Sequence, residues 1–465
     1  MTRTTRTAGW LLLALSLLNA LNFADRYLII SFSTSIIPEL GLTHLQFGLL
    51  TGFVFTAVYT VIGLFAGSLA DRMDRTYVIG IGLMAWSAMT AATGFARNFG
   101  QMAAARMFIG VGEACLTPAA VSMLADAFPP GRRALVSGIY YLGLPVGVGG
   151  SFLFAAAAGP ALGWRTSFIL LGAIGVVAGI LVMLFMFDPP RDARTADRSP
   201  RKHGQGERLT RERRQELRQW VNASMDANSR DTGDATYLPW IRESFRAMAH
   251  ELRANPAFAL ALAGGTAYTF VMGAGILDLV WWVKERGYDV KQAQQLTGLI
   301  FLTGGILGSV LGGIGADWSY RRFAGGRLKF LGWVTVAAVP LLLAYRLVPS
   351  HTPLFYALAV VGAMLSLMMF GPVFSAVQEL APSEHRSAAV ALFLLCAAFV
   401  GAGGGNACVG FLSDLFAAQG IDEPITHATL AMSACIVFPI PLFFLAARAQ
   451  GRRAEPVAIP EPVIA

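Results

Sequence analysis

Charge is scarce in this chain of 465 residues: Asp, Glu, Lys and Arg make up 14%, against 55% hydrophobic residues. A soluble domain carries roughly 25% charge, so composition excludes an ordinary soluble protein. Cysteine is rare as well. Cys115, Cys396, Cys408 and Cys435 all fall in apolar stretches, and no disulfide framework or metal spacing follows from them. The six histidines (His44, His203, His250, His351, His385, His427) fall in loops or at helix ends, which argues against a buried histidine relay. No G-x-x-x-x-G-K-[ST] phosphate loop occurs, so ATP is not the expected energy source. No nucleophile–base or metal arrangement emerges. An enzyme is therefore not expected, and no cofactor beyond protons as a coupling ion.

What is present is apolar length, with a mean hydropathy of +0.57. Windows of about 20 apolar residues, enough to span a bilayer as helix, recur near 9–37, 46–70, 77–96, 101–125, 134–158 and 166–187. They recur again near 257–283, 293–316, 328–346, 353–379, 387–413 and 426–447. The sequence predicts an all-α membrane protein of twelve transmembrane helices in two six-helix bundles, 1–187 and 257–450, with a tail at 451–465. The run that opens the chain is too long for a signal peptide, and it contains Asp25 and Arg26. Short loops on one side carry most of the basic residues, among them Arg72, Arg75, Arg132, Arg133, Arg321 and Arg322. By the positive-inside rule that side, with both termini, is cytoplasmic. The charge is spread out rather than clustered, so no nucleic-acid partner is expected. Loop length and Ala/Gly/Arg usage suggest a bacterial inner membrane, and a monomer is expected.

Residues 188–256 form the one long polar segment, read as a cytoplasmic linker between the bundles. Near its end, Trp240, Ile241, Phe245, Met248 and Leu252 share a helical face. This predicts an amphipathic helix near 239–253 lying on the inner leaflet.

Asp25 and Arg26 stand in the middle of the first apolar run. Two charges at that depth cost several kcal/mol each against lipid, so they must face protein or a wet cavity. The fourth run offers a second such set. Arg106, Gly110, Glu113 and Thr117 follow 4-3-4 spacing on one face, with Arg106 and Glu113 about 10 Å apart. On the first helix Asn19, Asn22 and Arg26 share a face, with Asp25 about 100° round. An arginine moving between Asp25 and Glu113 would decide which acid holds a proton. That is a workable coupling of protons to conformational change. The bland reading is a pair of static ion pairs. Asp278, beside Trp281 and Trp282, reads as an interfacial residue with an aromatic belt. Gly401–Gly405 reads as close helix packing.

The halves also repeat. Gly67-Ser-Leu-Ala-Asp71-Arg72-Met-Asp-Arg75 after the second run is matched by Gly313-Ile-Gly-Ala-Asp317-Trp-Ser-Tyr-Arg321-Arg322 after the eighth. The match holds at a constant offset, which fits a transporter built from two related halves. The aspartate can accept from the amides at a facing helix N-terminus, and the arginines can pair with carboxylates across the interface. Gly67, Asp71, Arg72, Arg75, Asp317 and Arg321 are thus the expected cytoplasmic gate.

G-x-L-A-D-R-x-x-R resembles the signature of the major facilitator superfamily. Arg106-x-x-x-Gly110-x-Gly112-Glu113 is similar to that superfamily's helix-four motif. Gly138-IYYLG-Leu-Pro145-x-Gly147 is similar to its helix-five hinge motif, which makes Gly138, Gly143, Pro145 and Gly147 the expected hinge. Gly163-Trp164-Arg165 before the sixth helix is also typical of it. More narrowly, Leu21-Asn22-Phe23-Ala24-Asp25-Arg26-Tyr27 and the stretch 108–128 resemble the Spinster family of that superfamily. The eleventh helix (401–414) departs from the animal Spinster pattern, which has an acidic residue near Ala402 and proline near Asn406. The resemblance implies an alternating-access, proton-coupled transporter of lysolipids or sphingosine-phosphate-like amphiphiles, in contact with membrane lipids. Asp25, Arg26, Glu113, Arg106 and Asn22 would serve protons and substrate. The close alternative is a proton-coupled symporter of small organic anions such as sugar acids. A lipid channel or scramblase is the remoter one.

Overall fold

The computed structural model describes residues 3–129, 132–189, 246, 248–323, 325–381 and 386–453. Among them there are helices and connecting turns and no strand. Ten segments are long and apolar enough to cross a membrane. One, Leu135–Phe185, runs 51 residues, about 77 Å of helix and more than twice a hydrocarbon core of roughly 30 Å. It reverses at Gly163, with φ 69° and ψ 171°, a conformation glycine adopts without a Cβ penalty. It is therefore the fifth and sixth helices in one run. His44–Thr51 and Phe53–Arg72, joined through Gly52, form the second helix. The described residues thus make twelve membrane helices, as the apolar windows predict.

The first helix is Arg3–Ser31, extended by Ser33–Glu39, and the third is Arg75–Thr93. The fourth is Phe99–Ala127, the seventh Pro256–Lys284 and the eighth Val290–Arg322. Gly326–Leu347 is the ninth and Pro353–Leu380 the tenth. The eleventh runs from Arg386 to Ala418 and the twelfth from Pro424 to Arg453. An even number of crossings puts both ends of the described chain on one face, here the terminal face; the opposite one is the far face.

Proline sets where four of these helices break. Proline lacks an N–H, and its ring collides with the carbonyl four residues back. The fourth helix breaks at Ala114–Cys115, before Pro118; the fifth at Leu142, before Pro145; the tenth at Met369, before Pro372. In the twelfth, Cys435–Val437 tightens before Pro439. Each break lies within one residue of the predicted collision.

Two apolar cores belong to single halves. One gathers Leu15, Leu83, Trp86, Ile109, Met123 and Tyr140 from the first to fifth helices. The other gathers Phe258, Leu331, Val373, Phe393 and Phe443 from the seventh and ninth to twelfth. A third core is shared at the far face, where Leu28, Phe47 and Phe152 meet Trp281, Phe355 and Val409. Among the described residues the hydrogen bonds between halves lie there too: Gln294 Nε2 donates to the Ser31 carbonyl at 2.8 Å, and Asn406 Nδ2 to Thr51 Oγ1 at 3.2 Å. Small residues bring the second and eleventh helices into backbone contact. A Cβ on Gly48 would overlap the Asn406 carbonyl, and one on Gly52 would lie 2.8 Å from Gly403 Cα. This is the packing role expected of Gly401–Gly405. The molecule is closed at the far face.

The tryptophans of the seventh helix do not form the predicted aromatic belt. Trp281 and Trp282 are fully buried and donate to Thr426 Oγ1 at 2.7 Å and Tyr345 OH at 2.8 Å. Their N–H groups find partners on neighbouring helices, so they have no need of the headgroup region. Asp278 is bonded to Arg346 at 2.7 Å.

Most of the predicted linker 188–256 and all but the first residues of the 451–465 tail lie outside the described residues. At the linker's end, Met248 is buried in the second half's core and Leu252 packs against it. This end of the predicted amphipathic helix rests on protein.

Candidate functional site

The fourth helix is placed by its two glycines. A Cβ on Gly110 would lie 3.0 Å from the Phe55 carbonyl of the second helix, and one on Gly112 2.6 Å from the Gly82 carbonyl of the third. The R-x-x-x-G-x-G-E spacing thus admits one helix on either side. It delivers Glu113 to the last turn before the Pro118 break. The fifth helix lies against the first in the same way: a Cβ on Gly143 would lie 2.8 Å from Asn19 Nδ2, and one on Gly147 would overlap the Ala20 carbonyl. Gly143 and Gly147 are contact positions, and the break that Pro145 imposes lies at Leu142, just before them. Gly138 is exposed, with open space around it.

Three charged groups are buried together. Asp25, Arg106 and Glu113 are each 1% exposed. Arg26 reaches across from the first helix to Glu113 Oε2, with Nη2 at 2.6 Å and Nε at 3.1 Å. Its guanidinium lies over the rings of Phe55 at 4.5 Å, Tyr59 at 4.9 Å and Phe23 at 5.3 Å. Arg106 Nη2 donates to the Arg26 carbonyl at 3.2 Å, and Arg106 also lies over Phe55. Asp25 turns the other way and accepts from Trp86 Nε1 of the third helix at 2.9 Å. Asn19 donates to the Tyr140 carbonyl at 2.8 Å.

The set is not saturated. Asp25 Oδ1, Glu113 Oε1, Asn22 Nδ2, and Arg106 Nε and Nη1 are buried without a hydrogen-bond partner. Such groups are costly unless water or a ligand completes them. The Arg26 side chain alone of the four is partly open, at 23%. The site lies wholly in the first half. Counted from the repeat's two prolines, the position matching Glu113 in the tenth helix is Leu367.

The gate signature sits on helix ends rather than in loops, because both helices run on past their apolar windows. The side-chain surroundings of Gly67, Asp71 and Arg72 lie outside the described residues. Arg75 is buried and fully engaged, with partners on the fourth helix and just past the end of the sixth. It bonds Asp126 at 2.5 Å, Asp188 at 2.8 Å through Nε, Ser122 at 2.9 Å and the Pro189 carbonyl at 2.8 Å. In the second half this place is taken by Arg327, not by Arg321. Arg327 opens the ninth helix as Arg75 opens the third, and it bonds Glu379 at 2.9 Å and Asp317 at 3.3 Å. Arg321 is exposed. The longer connection after Asp317 shifts the corresponding arginine away from the constant sequence offset.

Other contacts carried no sequence motif. Asp414 of the eleventh helix accepts from the His44 and Leu45 amides at 3.0 and 2.8 Å, across the halves. The geometry foreseen for Asp71, an acid on a facing helix N-terminus, is thus realised at the far face. His44 Nδ1 also meets Ser413 Oγ at 2.9 Å. Glu39, ending the extension of the first helix, accepts from Trp164 Nε1 at 2.6 Å and Arg165 Nε at 3.0 Å. The Trp164 bond holds the Glu39 carboxyl below its ordinary value, with Arg165 adding to it. Gly163 makes the turn, Trp164 and Arg165 clamp it. A helix-three tryptophan and these far-face acids have no spacing rule that would single them out.

The family model of the Major Facilitator Superfamily matches residues 15–406, and the chain belongs to that superfamily. It is a membrane transporter, not an enzyme. It is 26% identical over 444 residues to an "MFS-type efflux pump" of Mycolicibacterium smegmatis, covering 94% of this chain and 92% of that one. It is 27% identical over 331 residues to "Probable sphingolipid transporter spinster homolog 1" of Arabidopsis thaliana, covering 66% of this chain and 63% of the plant protein. Over 179 residues it is 31% identical to "Probable L-galactonate transporter" of Escherichia coli, covering 38% and 39%. Its fold matches a crystal structure of a bacterial homolog of the human lysosomal transporter Spinster, inward-facing and unoccupied, with TM-score 0.77, 23% identity, and 97% and 99% of the two chains covered.

Proposed function

We propose that the chain is a Spinster-like, proton-coupled, alternating-access transporter of an amphiphile with an anionic or zwitterionic head, a lysolipid or sphingosine phosphate. The observation that carries this reading is the Arg26–Glu113 bond, made by a partly open guanidinium against a wall of Phe23, Phe55 and Tyr59. An anionic head competes with Glu113 for Arg26, and Arg106 supplies two further unpartnered donors. The aromatic wall suits the start of an apolar tail. Once Arg26 is taken by the head, Glu113 loses its counter-charge and binds a proton. Substrate and proton then enter together, and Asp25 shares the proton traffic.

In this reading the terminal face is cytoplasmic, the membrane a bacterial inner membrane, the protein a monomer, and the closed far face marks an inward-open state. The bundles 1–187 and 257–450 move about the far-face contacts, and 188–256 links them. The plant relative's sphingolipid name favours the lipid substrate. A second reading, a proton-coupled symporter of sugar acids, is favoured by the galactonate relative, whose match is confined to 38% of the chain. Proteoliposomes holding the purified protein separate the two: uptake of a radiolabelled lysophospholipid that saturates, with none of galactonate, is expected. Saturable galactonate uptake alone overturns the lipid reading.

A further inference from the structure

We propose that Trp86 is a positioning residue for the acid of the first helix: its indole N–H holds the Asp25 carboxylate on the third-helix side and leaves Oδ1 as the oxygen that carries a proton. The inference rests on the reading of Asp25 as a proton carrier. Three observations carry it. Trp86 Nε1 donates to Asp25 Oδ2 at 2.9 Å, and both residues are buried. Asp25 Oδ1 has no hydrogen-bond partner. And Trp86 is seated by the fourth helix itself, since a Cβ on Gly112 would lie 2.7 Å from Trp86 N and 2.8 Å from its Cβ. The residue before Glu113 therefore fixes the donor that fixes Asp25.

An indole N–H only donates. It can bond Oδ2 whether Asp25 is ionised or protonated, and it cannot accept the proton, so the proton goes to Oδ1. The charged groups acting on Asp25 besides its neighbour Arg26 are Glu113 and Arg106 of the fourth helix. The third helix offers Trp86 and, among the described residues, no charge at this depth. Holding Asp25 back from Arg26 keeps the arginine for Glu113 and the substrate head. The two acids thereby keep separate hydrogen-bond partners, Trp86 for Asp25 and Arg26 for Glu113.

The test is a pH titration of the full-length protein in detergent, followed by infrared difference spectroscopy. The carboxylic carbonyl band of Asp25 is identified by its loss in Asp25→Asn. In Trp86→Phe the band is expected at higher wavenumber, because its donor is gone, with a midpoint at higher pH, because the ionised form has lost a stabilising bond. Trp86→His, which keeps an N–H, moves both back toward the unsubstituted protein. Trp164→Phe, which loses the other acid-bonded indole, leaves both unchanged. If Trp86→Phe does not fold, the indole ¹⁵N–¹H resonance of Trp86 in the unsubstituted protein must shift with the midpoint of the Asp25 band; a resonance that stays fixed overturns the proposal. A band that titrates but is identical in Trp86→Phe overturns the positioning role alone. If no band at any pH depends on Asp25, the proton-carrier reading falls with it.

Discussion

Arg26 is bonded to Glu113 at 2.6 Å, and its sequence neighbour Asp25 takes no part in that bond. Two charges adjacent in the chain are sent by the helix's 100° step to different partners. Arg26 meets the acid of the fourth helix and Asp25 the indole of the third. One partly open cation therefore serves one buried acid, and the second acid stands apart with a neutral donor.

Breaking that bond from one side leaves an uncompensated buried charge. Arg26→Ala is expected to destabilise the protein by about 3–5 kcal/mol. Arg26→Ala/Glu113→Gln recovers a large part of the loss, because neither charge is then stranded. Thermal unfolding of the two single variants and the double variant in one detergent reads the coupling. Additive losses contradict it.

At the terminal face, Arg75 and Arg327 each tie the start of a helix to an acid of its own half. Arg75 is buried and its bonds are charge-assisted, each worth about 1.5–3 kcal/mol. Arg75→Ala is expected to lower the melting temperature markedly and Arg327→Ala less, since Arg327 is more exposed. Arg321→Ala leaves it unchanged. An Arg321→Ala loss equal to that of Arg75→Ala would restore the simple sequence offset.

At the far face, Asp414 holds the first two amides of the second helix. Asp414→Ala removes two charge-assisted bonds and opens this end. Hydrogen exchange at residues 44–46 is expected to accelerate about tenfold or more. Exchange at the third-helix segment Arg75–Thr93 stays as it was. Unchanged protection at 44–46 would mean the contact contributes nothing to closure.

The Glu39 clamp depends on pH in a defined direction. Its carboxyl is held below its ordinary value, so its contribution is fully present above about pH 4.3, the unfolded value. It is lost as pH falls through the lower folded value. The pair with Arg165 is half-exposed and screened, worth about 1 kcal/mol or less. The melting-point difference between the unsubstituted protein and Glu39→Gln should be constant from pH 5 to 8 and vanish toward pH 3. A difference that grows on acidification contradicts the assignment.

Twelve helices, their order and the buried charges were legible in the sequence because lipid imposes its rule on every residue: length, apolarity and rare charge are enough. The fourth helix was legible to the residue, since Gly110, Gly112 and Glu113 are bound by spacing along one helix. Partnership between helices was not. Asp25 was read as an alternative partner for a moving arginine, but its partner is Trp86, an apolar-looking residue on a helix with no motif. Arg327 was hidden by a longer loop that breaks the repeat's register. Asp414 was hidden because an acid at a helix end reads as solvated until its facing helix is known. Trp281 and Trp282 read as belt residues because hydropathy cannot tell which side of a helix meets protein.

The central claim is that Glu113, paired with Arg26, couples proton movement to transport. The direct measurement compares two modes in proteoliposomes, pH-gradient-driven accumulation of a lysophospholipid and its gradient-free exchange. Glu113→Gln is expected to keep exchange within a few-fold of the unsubstituted protein and to lose accumulation. Gradient-driven accumulation that persists at the unsubstituted level in Glu113→Gln, and again in Asp25→Asn, would contradict the account.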